Sequence, residues 1–260
     1  MWLLFCLCTE TIRSQVIQPE ILLTAGLIVL TAYLIRGISG FGSGLIAVPL
    51  LAHFLPLTFV VPLILVTDFL ASLALGTHTR KHARWDEVKP LLPFSILGVL
   101  VGTTLLVSLP KAPLLATLGV FVLLFGARSV LNLHGTRTIS RRWAIPAGLT
   151  GGAIGALFGT GGPPYVIYLN HRLYDKGELR ATFSGLFLIE GGLRIIVFLV
   201  AGLLLHTELL LTILAALPLV ALGLLLGNRV HVGLSPLQMQ RLIGIMLLVS
   251  GTSLLWRAWI

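Results

Sequence analysis

Charge is scarce in this chain. Of its 260 residues, 18 are Lys or Arg and 9 are Asp or Glu, a charged fraction of 10%; ordinary soluble domains carry about 25%. No soluble fold of this size has an interior that could hide a hydrophobic content of 57%, so a cytosolic globular enzyme and a disordered chain are both excluded. Acidic residues are rarer than basic ones, which leaves a net charge of +9. In a soluble chain that balance would suggest nucleic acid. Here it raises a different question, namely which loops hold the basic residues, and no nucleic-acid partner is expected. Cysteine is nearly absent as well. Cys6 and Cys8 are the two present, and their spacing suits neither a bridge nor a zinc site. The seven histidines are scattered without ligand spacing, so no metal centre is expected. No GxxxxGK[ST] loop occurs, which argues against an ATP-driven pump, and no cofactor is expected.

What the chain has in abundance is long apolar runs. Runs of about 17–25 residues can cross a bilayer. Eight candidates are Ile21–Arg36, Leu55–Gly76, Leu91–Leu109, Leu114–Leu131, Trp143–Phe158, Ala181–Leu205, Leu209–Gly227 and Leu242–Trp259. Two shorter apolar pieces, Leu45–Leu55 and Pro163–Leu169, each follow a glycine cluster, the pattern of a broken or re-entrant helix. The expected fold class is therefore an all-α polytopic membrane protein of about eight transmembrane segments, forming one transporter domain over residues 1–260. Basic residues concentrate in 77–90, 132–142, 171–180 and 228–241, which places those loops in the cytoplasm. By parity, Trp143–Asn170 enters from the cytoplasm and returns, with its tip at 159–162. Ile21–Leu55 is a hairpin entered from the other side, with its tip at 37–44. A single long, broken crossing for each piece satisfies the same pattern.

An internal repeat is visible. Gly98, Gly102, Gly119 and Gly126 recur as Gly223, Gly227, Gly244 and Gly251 at an offset of 125. Gly40-Phe-Gly-Ser-Gly44 maps onto Gly159-Thr-Gly-Gly-Pro163 at an offset of 119. Residues 21–131 and 143–259 are thus expected to be two related repeats, inverted if each makes three true crossings, with the substrate held between them. For the GxxxG pairs at 98/102, 148/152, 151/155 and 223/227, close helix packing is the preferred explanation. For the two clusters, their density favours a ligand site: each break frees backbone N–H groups, and the positive end of the next helix faces it. The candidate substrate-binding residues are Gly37, Ser39, Gly40, Gly42, Ser43 and Gly44 in the first cluster, and Gly159, Thr160, Gly161, Gly162 and Pro163 in the second.

Four ionisable residues lie within apolar runs: Arg36, Asp68, Glu190 and Arg194. Each costs roughly 2.5–3.5 kcal/mol at the bilayer centre, so they should face the protein interior. Glu190 and Arg194 are four apart and can pair on one helix face. Arg36 and Arg194 are candidate anion-binding residues, and Asp68 and Glu190 are candidates for coupling or gating. A structural ion pair at Glu190–Arg194, or a snorkelling Arg36, is the plainer alternative.

The pattern Gly-x-x-Gly-x-Gly-x-Gly-x-x-x-x-Pro-x-Leu at 37–51 resembles a motif of the TauE/SafE sulfite exporter family. Gly155-x-x-x-Gly-Thr-Gly-Gly-Pro-Pro, followed by Tyr168-Leu169, resembles its second-half counterpart. The resemblance implies a multi-pass transporter of the bacterial inner membrane for small sulfur-containing anions such as sulfite or organosulfonates. The expected activity is secondary, by alternating access, with export as the direction and a proton as the candidate coupling ion. The expected partners are a small anion and the lipid bilayer, and the oligomeric state is open. An anion channel is the nearest competing function. A rhomboid-like intramembrane serine protease is the remote one, suggested by Gly37-Ile-Ser-Gly40 but lacking a mid-helix histidine base.

Overall fold

The computed structural model describes residues 19–39, 43–75, 83–131, 139–159, 161–173, 175–229 and 236–259. All regular structure among them is helical. The first half contains α1 (Pro19–Ser39), α2 (Ser43–Leu51), α3 (Leu57–Leu75), the one-turn α4 (Trp85–Val88), α5 (Leu92–Ser108) and α6 (Lys111–Leu131). A short 3-10 turn at Arg141–Trp143 leads into α7 (Ala144–Phe158), α8 (Gly162–Asn170), α9 (Lys176–Val200), α10 (Thr207–Arg229) and α11 (Pro236–Trp259).

Among the described residues, five helices are long and apolar enough to cross a membrane: Glu20–Ile38, Leu57–Ala74, Lys111–Leu131, Gly177–Val200 and Thr207–Arg229. Leu92–Ser108 and Ile243–Trp259 are shorter apolar helices. The outer faces carry bare aliphatic and aromatic side chains, such as Leu124, Leu211, Val249 and Trp256. In water such a surface would aggregate; in lipid it needs no cover. The last apolar run of the central region ends earlier than the expected Leu205. Gly202 takes φ 78°, a left-handed conformation that turns the chain just after α9.

Helices pair across the two halves of the chain. α1 packs along α10, α5 along α7, α6 along α11, and α3 crosses α9. The GxxxG glycines make these seams. A Cβ on Gly98 would overlap the carbonyl oxygen of Leu149, and one on Gly227 that of Leu34. The expectation that these pairs serve close packing therefore holds for Gly98, Gly102, Gly148, Gly152, Gly223 and Gly227, whereas Gly151 lies under the Tyr165 ring and Gly155 faces the side chains of Glu190 and Arg194. Register gives direction. Gly223 meets Leu30 and Tyr33 while Gly227 meets Leu34 and Gly37, so α1 and α10 run parallel. Gly119 faces Gly251 and Gly126 faces Gly244, so α6 and α11 run antiparallel.

α8 folds back along α7. Gly161 lies against Gly155 and the Gly151 carbonyl, and the ring of Tyr165 covers Gly151. The turn begins at Gly159, which caps α7 with φ 66°. α8 then starts at Gly162 with proline in its first turn, as its fixed φ favours.

Candidate functional site

Each helix break sits beside a charge pair, partly buried at the first and fully buried at the second. At the first, Arg36 in the last turn of α1 meets Asp68 in the middle of α3, with Nη1 2.5 Å from Oδ1. Ser43, the first residue of α2, joins them. Its hydroxyl lies 2.9 Å from Arg36 Nη1, whose N–H it accepts, and it donates to Asp68 Oδ1 at 2.7 Å. Tyr33, wholly buried one turn before Arg36, places its hydroxyl 2.5 Å from the same Oδ1 and 2.7 Å from Thr67. Arg36 Nη2 donates to Ser72 at 2.7 Å, and Ser72 donates to the Asp68 carbonyl at 2.8 Å. One carboxylate oxygen thus gathers three donors, and the guanidinium is neutralised where it stands.

The second break is built differently. Glu190 and Arg194 lie one turn apart on α9, with Arg194 Nη2 3.1 Å from Glu190 Oε2. Arg194 Nη1 donates to the Gly155 carbonyl at 2.5 Å. The Glu190 carboxylate is completely buried. Its contact with Arg194 is close enough for charge attraction but poorly aligned for a hydrogen bond, so both Glu190 oxygens and Arg194 Nε have no hydrogen-bond partner. Gly155 is what makes room: a Cβ there would fall 2.9 Å from Glu190 Oε1 and 3.2 Å from Arg194 Nη1.

The two sites stand at one level. Gly191 and Gly192 of α9 pack on the ring of Phe69 in α3. Asp68 and Glu190 each precede one of those contacts, on the two crossing helices.

The expected residues divide as follows. Arg36, Ser43 and Asp68 come together at the first break, and Glu190 and Arg194 at the second. Gly37 lies in the α1–α10 seam, where a Cβ would fall 2.8 Å from the Leu224 carbonyl, so packing accounts for it. Gly161 likewise packs on α7, and Gly159 serves the turn. Gly44 and Pro163 are buried in the first turns of α2 and α8, and Gly162 opens α8. Gly40, Gly42 and Thr160, and the side chain of Ser39, lie outside the described residues. Among the described residues no His, Cys, Asp and Glu group could hold a metal ion.

Sequence reasoning missed four members of the first cluster's shell or its counterpart below. Tyr33, Thr67 and Ser72 were ordinary helix residues by pattern; their only signal was a polar atom in an apolar run. Glu87 was hidden in a basic loop. It is buried, and it accepts from Tyr168 at 2.8 Å and from Arg172 at 2.7 and 3.1 Å, with Arg141 3.4 Å away. Arg172 also donates to the Ile139 carbonyl. This network ties α4 to the C-terminal end of α8. Burial alone pushes the Glu87 carboxyl up, but the hydrogen bonds and charges of Arg172, Tyr168 and Arg141 outweigh it and hold it below its ordinary value.

The family model for the sulfite exporter TauE/SafE matches residues 25–254. A curated relative, the probable inner membrane transporter protein TsaS of Comamonas testosteroni, is 30% identical over 200 residues. That match covers 76% of this chain and 83% of the relative. No solved structure matches.

Proposed function

Because the chain belongs to the sulfite exporter TauE/SafE family, we propose that this membrane transporter is a secondary carrier of small sulfur-containing oxyanions or organosulfonates, sulfite among them. We place it in the bacterial inner membrane, as its relative is named, and assign export as its direction. The single observation that carries the reading is the pair of guanidinium–carboxylate sites beside the two helix breaks, one partly and one fully withdrawn from the surface. An inert bundle would gain nothing from two such sites in hydrocarbon, since each buried ion carries a desolvation cost. A carrier needs cations that an anion can reach and leave.

The exchange of partners between the halves supports alternating access. The seams α1–α10 and α5–α7 are interchanged when residues 21–131 and 143–259 swap roles, while α6–α11 and α3–α9 map onto themselves. The antiparallel register of α6 and α11 is what inverted repeats require. In this reading the halves rock about the α3–α9 crossing, a proton is the coupling ion, and Asp68 and Glu190 are its candidate carriers.

The test is flux in proteoliposomes across sulfite, thiosulfate, methanesulfonate, taurine and acetate. Saturable transport of at least one sulfur anion, abolished by Arg194→Gln, is the expected result. A single-channel current would establish a pore instead, and failure of every sulfur anion would remove the substrate assignment.

A further inference from the structure

The two charge pairs differ in one respect that bears on coupling. At the first, Asp68 Oδ1 is bound by Arg36, Ser43 and Tyr33, and Arg36 is further held by Ser72. At the second, a fully buried carboxylate has its ion-pair contact with Arg194 but no well-aligned hydrogen-bond donor on either oxygen, while Nε is bare on both arginines. A buried polar group without a partner is costly, and proteins retain one where something else is to bind. The side chains of Glu190 and Arg194 fill the place that a side chain at residue 155 would take.

We propose, on the carrier reading above, that Glu190 holds the place of the cargo on Arg194, so that one proton must join Glu190 for each singly charged anion that binds. The argument is a charge count. Empty, the site holds Glu190 as carboxylate and Arg194 as cation, a net charge of zero. Loaded, it holds Glu190 as neutral acid, Arg194 as cation and one monoanion, again zero. With only the anion bound the net charge is negative, and with only the proton it is positive. Either half-loaded form leaves an uncompensated charge in a low-dielectric interior and is therefore poorly populated and slow to reorient. A dianion would leave a negative residue in the loaded state, so the cargo is a monoanion. Two oxygens on one centre, as in a sulfonate, suit the fork of Arg194.

Among the described residues, the surroundings of Glu190 add no competing charge. On α9 the neighbour is Arg194. From α8 comes Tyr165, a neutral phenol whose hydroxyl is engaged by Ser95 at 2.7 Å. From α7 comes the Gly155 backbone, and from α3 Phe69 lies against the adjacent Gly191. Asp68 is committed to Arg36. The proton is taken from solvent on the loading side and returned on the other, with no covalent change in cargo or carrier. Transport is then electroneutral, and its direction follows the sum of the cargo and pH gradients.

The linkage is reciprocal: the factor by which the cargo favours protonation is the factor by which the proton favours the cargo. Methanesulfonate, a monoanion at every pH used, is the probe. On the wild-type protein, calorimetry at pH 8 in buffers of different ionisation enthalpy should show about one proton taken up per anion bound. The dissociation constant should rise about tenfold per pH unit on the alkaline side. Flux in potassium-clamped vesicles should not respond to membrane potential, and 1,2-ethanedisulfonate should not be carried. In Glu190→Gln, binding should become independent of pH and flux should become sensitive to potential. The wild-type measurements stand without that variant. Binding without proton uptake, potential-driven wild-type flux, or no methanesulfonate binding beside transport of another sulfur anion would each overturn the proposal and leave the carrier intact. Failure of the whole panel would remove both.

Discussion

At the scale of single residues, position outweighs type. Gly159 is required by its φ of 66° and by Val48, whose methyl would lie 3.3 Å from a new Cβ. Gly159→Ala should cost about 1–2 kcal/mol from the left-handed conformation alone, read as a lower unfolding temperature in detergent. Glu87 offers a pH test. Its carboxyl is held below the ordinary value in the folded protein. The resulting stabilisation is complete above the unfolded-state pKa of about 4.3 and is lost as pH falls through the folded one. Thermal unfolding followed from pH 7 to pH 3.5 should therefore steepen below about pH 4.3 in the wild type and be flatter in Glu87→Gln. Arg172→Ala leaves the buried carboxylate with the Tyr168 hydroxyl and, as its cation, only the more distant Arg141, and should destabilise toward the lower end of ~3–5 kcal/mol. Residues of this kind were the least legible from sequence. Arg36, Asp68, Glu190 and Arg194 announced themselves as charges in apolar runs. Tyr33 and Glu87 did not, because a tyrosine in a helix and an acid in a basic loop are both unremarkable until the chain brings their partners from 34 to 85 positions away.

At the scale of elements, glycine spacing carried most of the fold. The repeated GxxxG pairs marked which faces pack closely, and the clusters marked where helices break. Register could not be read in the same way, since it depends on which helix meets which. It can be tested in a background with Cys6 and Cys8 replaced by serine. Gly126→Cys with Leu248→Cys should cross-link under mild oxidation, because Leu248 Cγ lies 3.1 Å from the Cβ position at Gly126. Gly119→Cys with Leu248→Cys should not, since Gly119 faces Leu255 and Gly251. The ends of helices were less legible than their centres: α9 begins at Lys176 and stops at Val200, where the apolar run suggested Ala181–Leu205. Asp175, accepting from the Glu178 N–H at 2.8 Å, starts it earlier, and Gly202 ends it sooner.

At the scale of the whole molecule, the basic loops and the helix directions should agree in the membrane. Single cysteines at Lys111 and Thr207 should react with a membrane-impermeant thiol reagent from outside intact cells, and those at Arg142 and Arg241 only after the cells are opened. Reaction of Lys111→Cys and Arg142→Cys from the same side would break the inverted arrangement. One consequence follows from the shape of α8. Its first turn lies at the second break, beside Gly155, and its last residues reach Tyr168 and the Glu87–Arg172 lock. A helix of nine residues is about 13 Å long. A rod so short cannot flex between its ends. Any displacement of its tip at the second break must therefore also pull on the ionic clasp at its base, so the two ends of α8 act as one stiff lever.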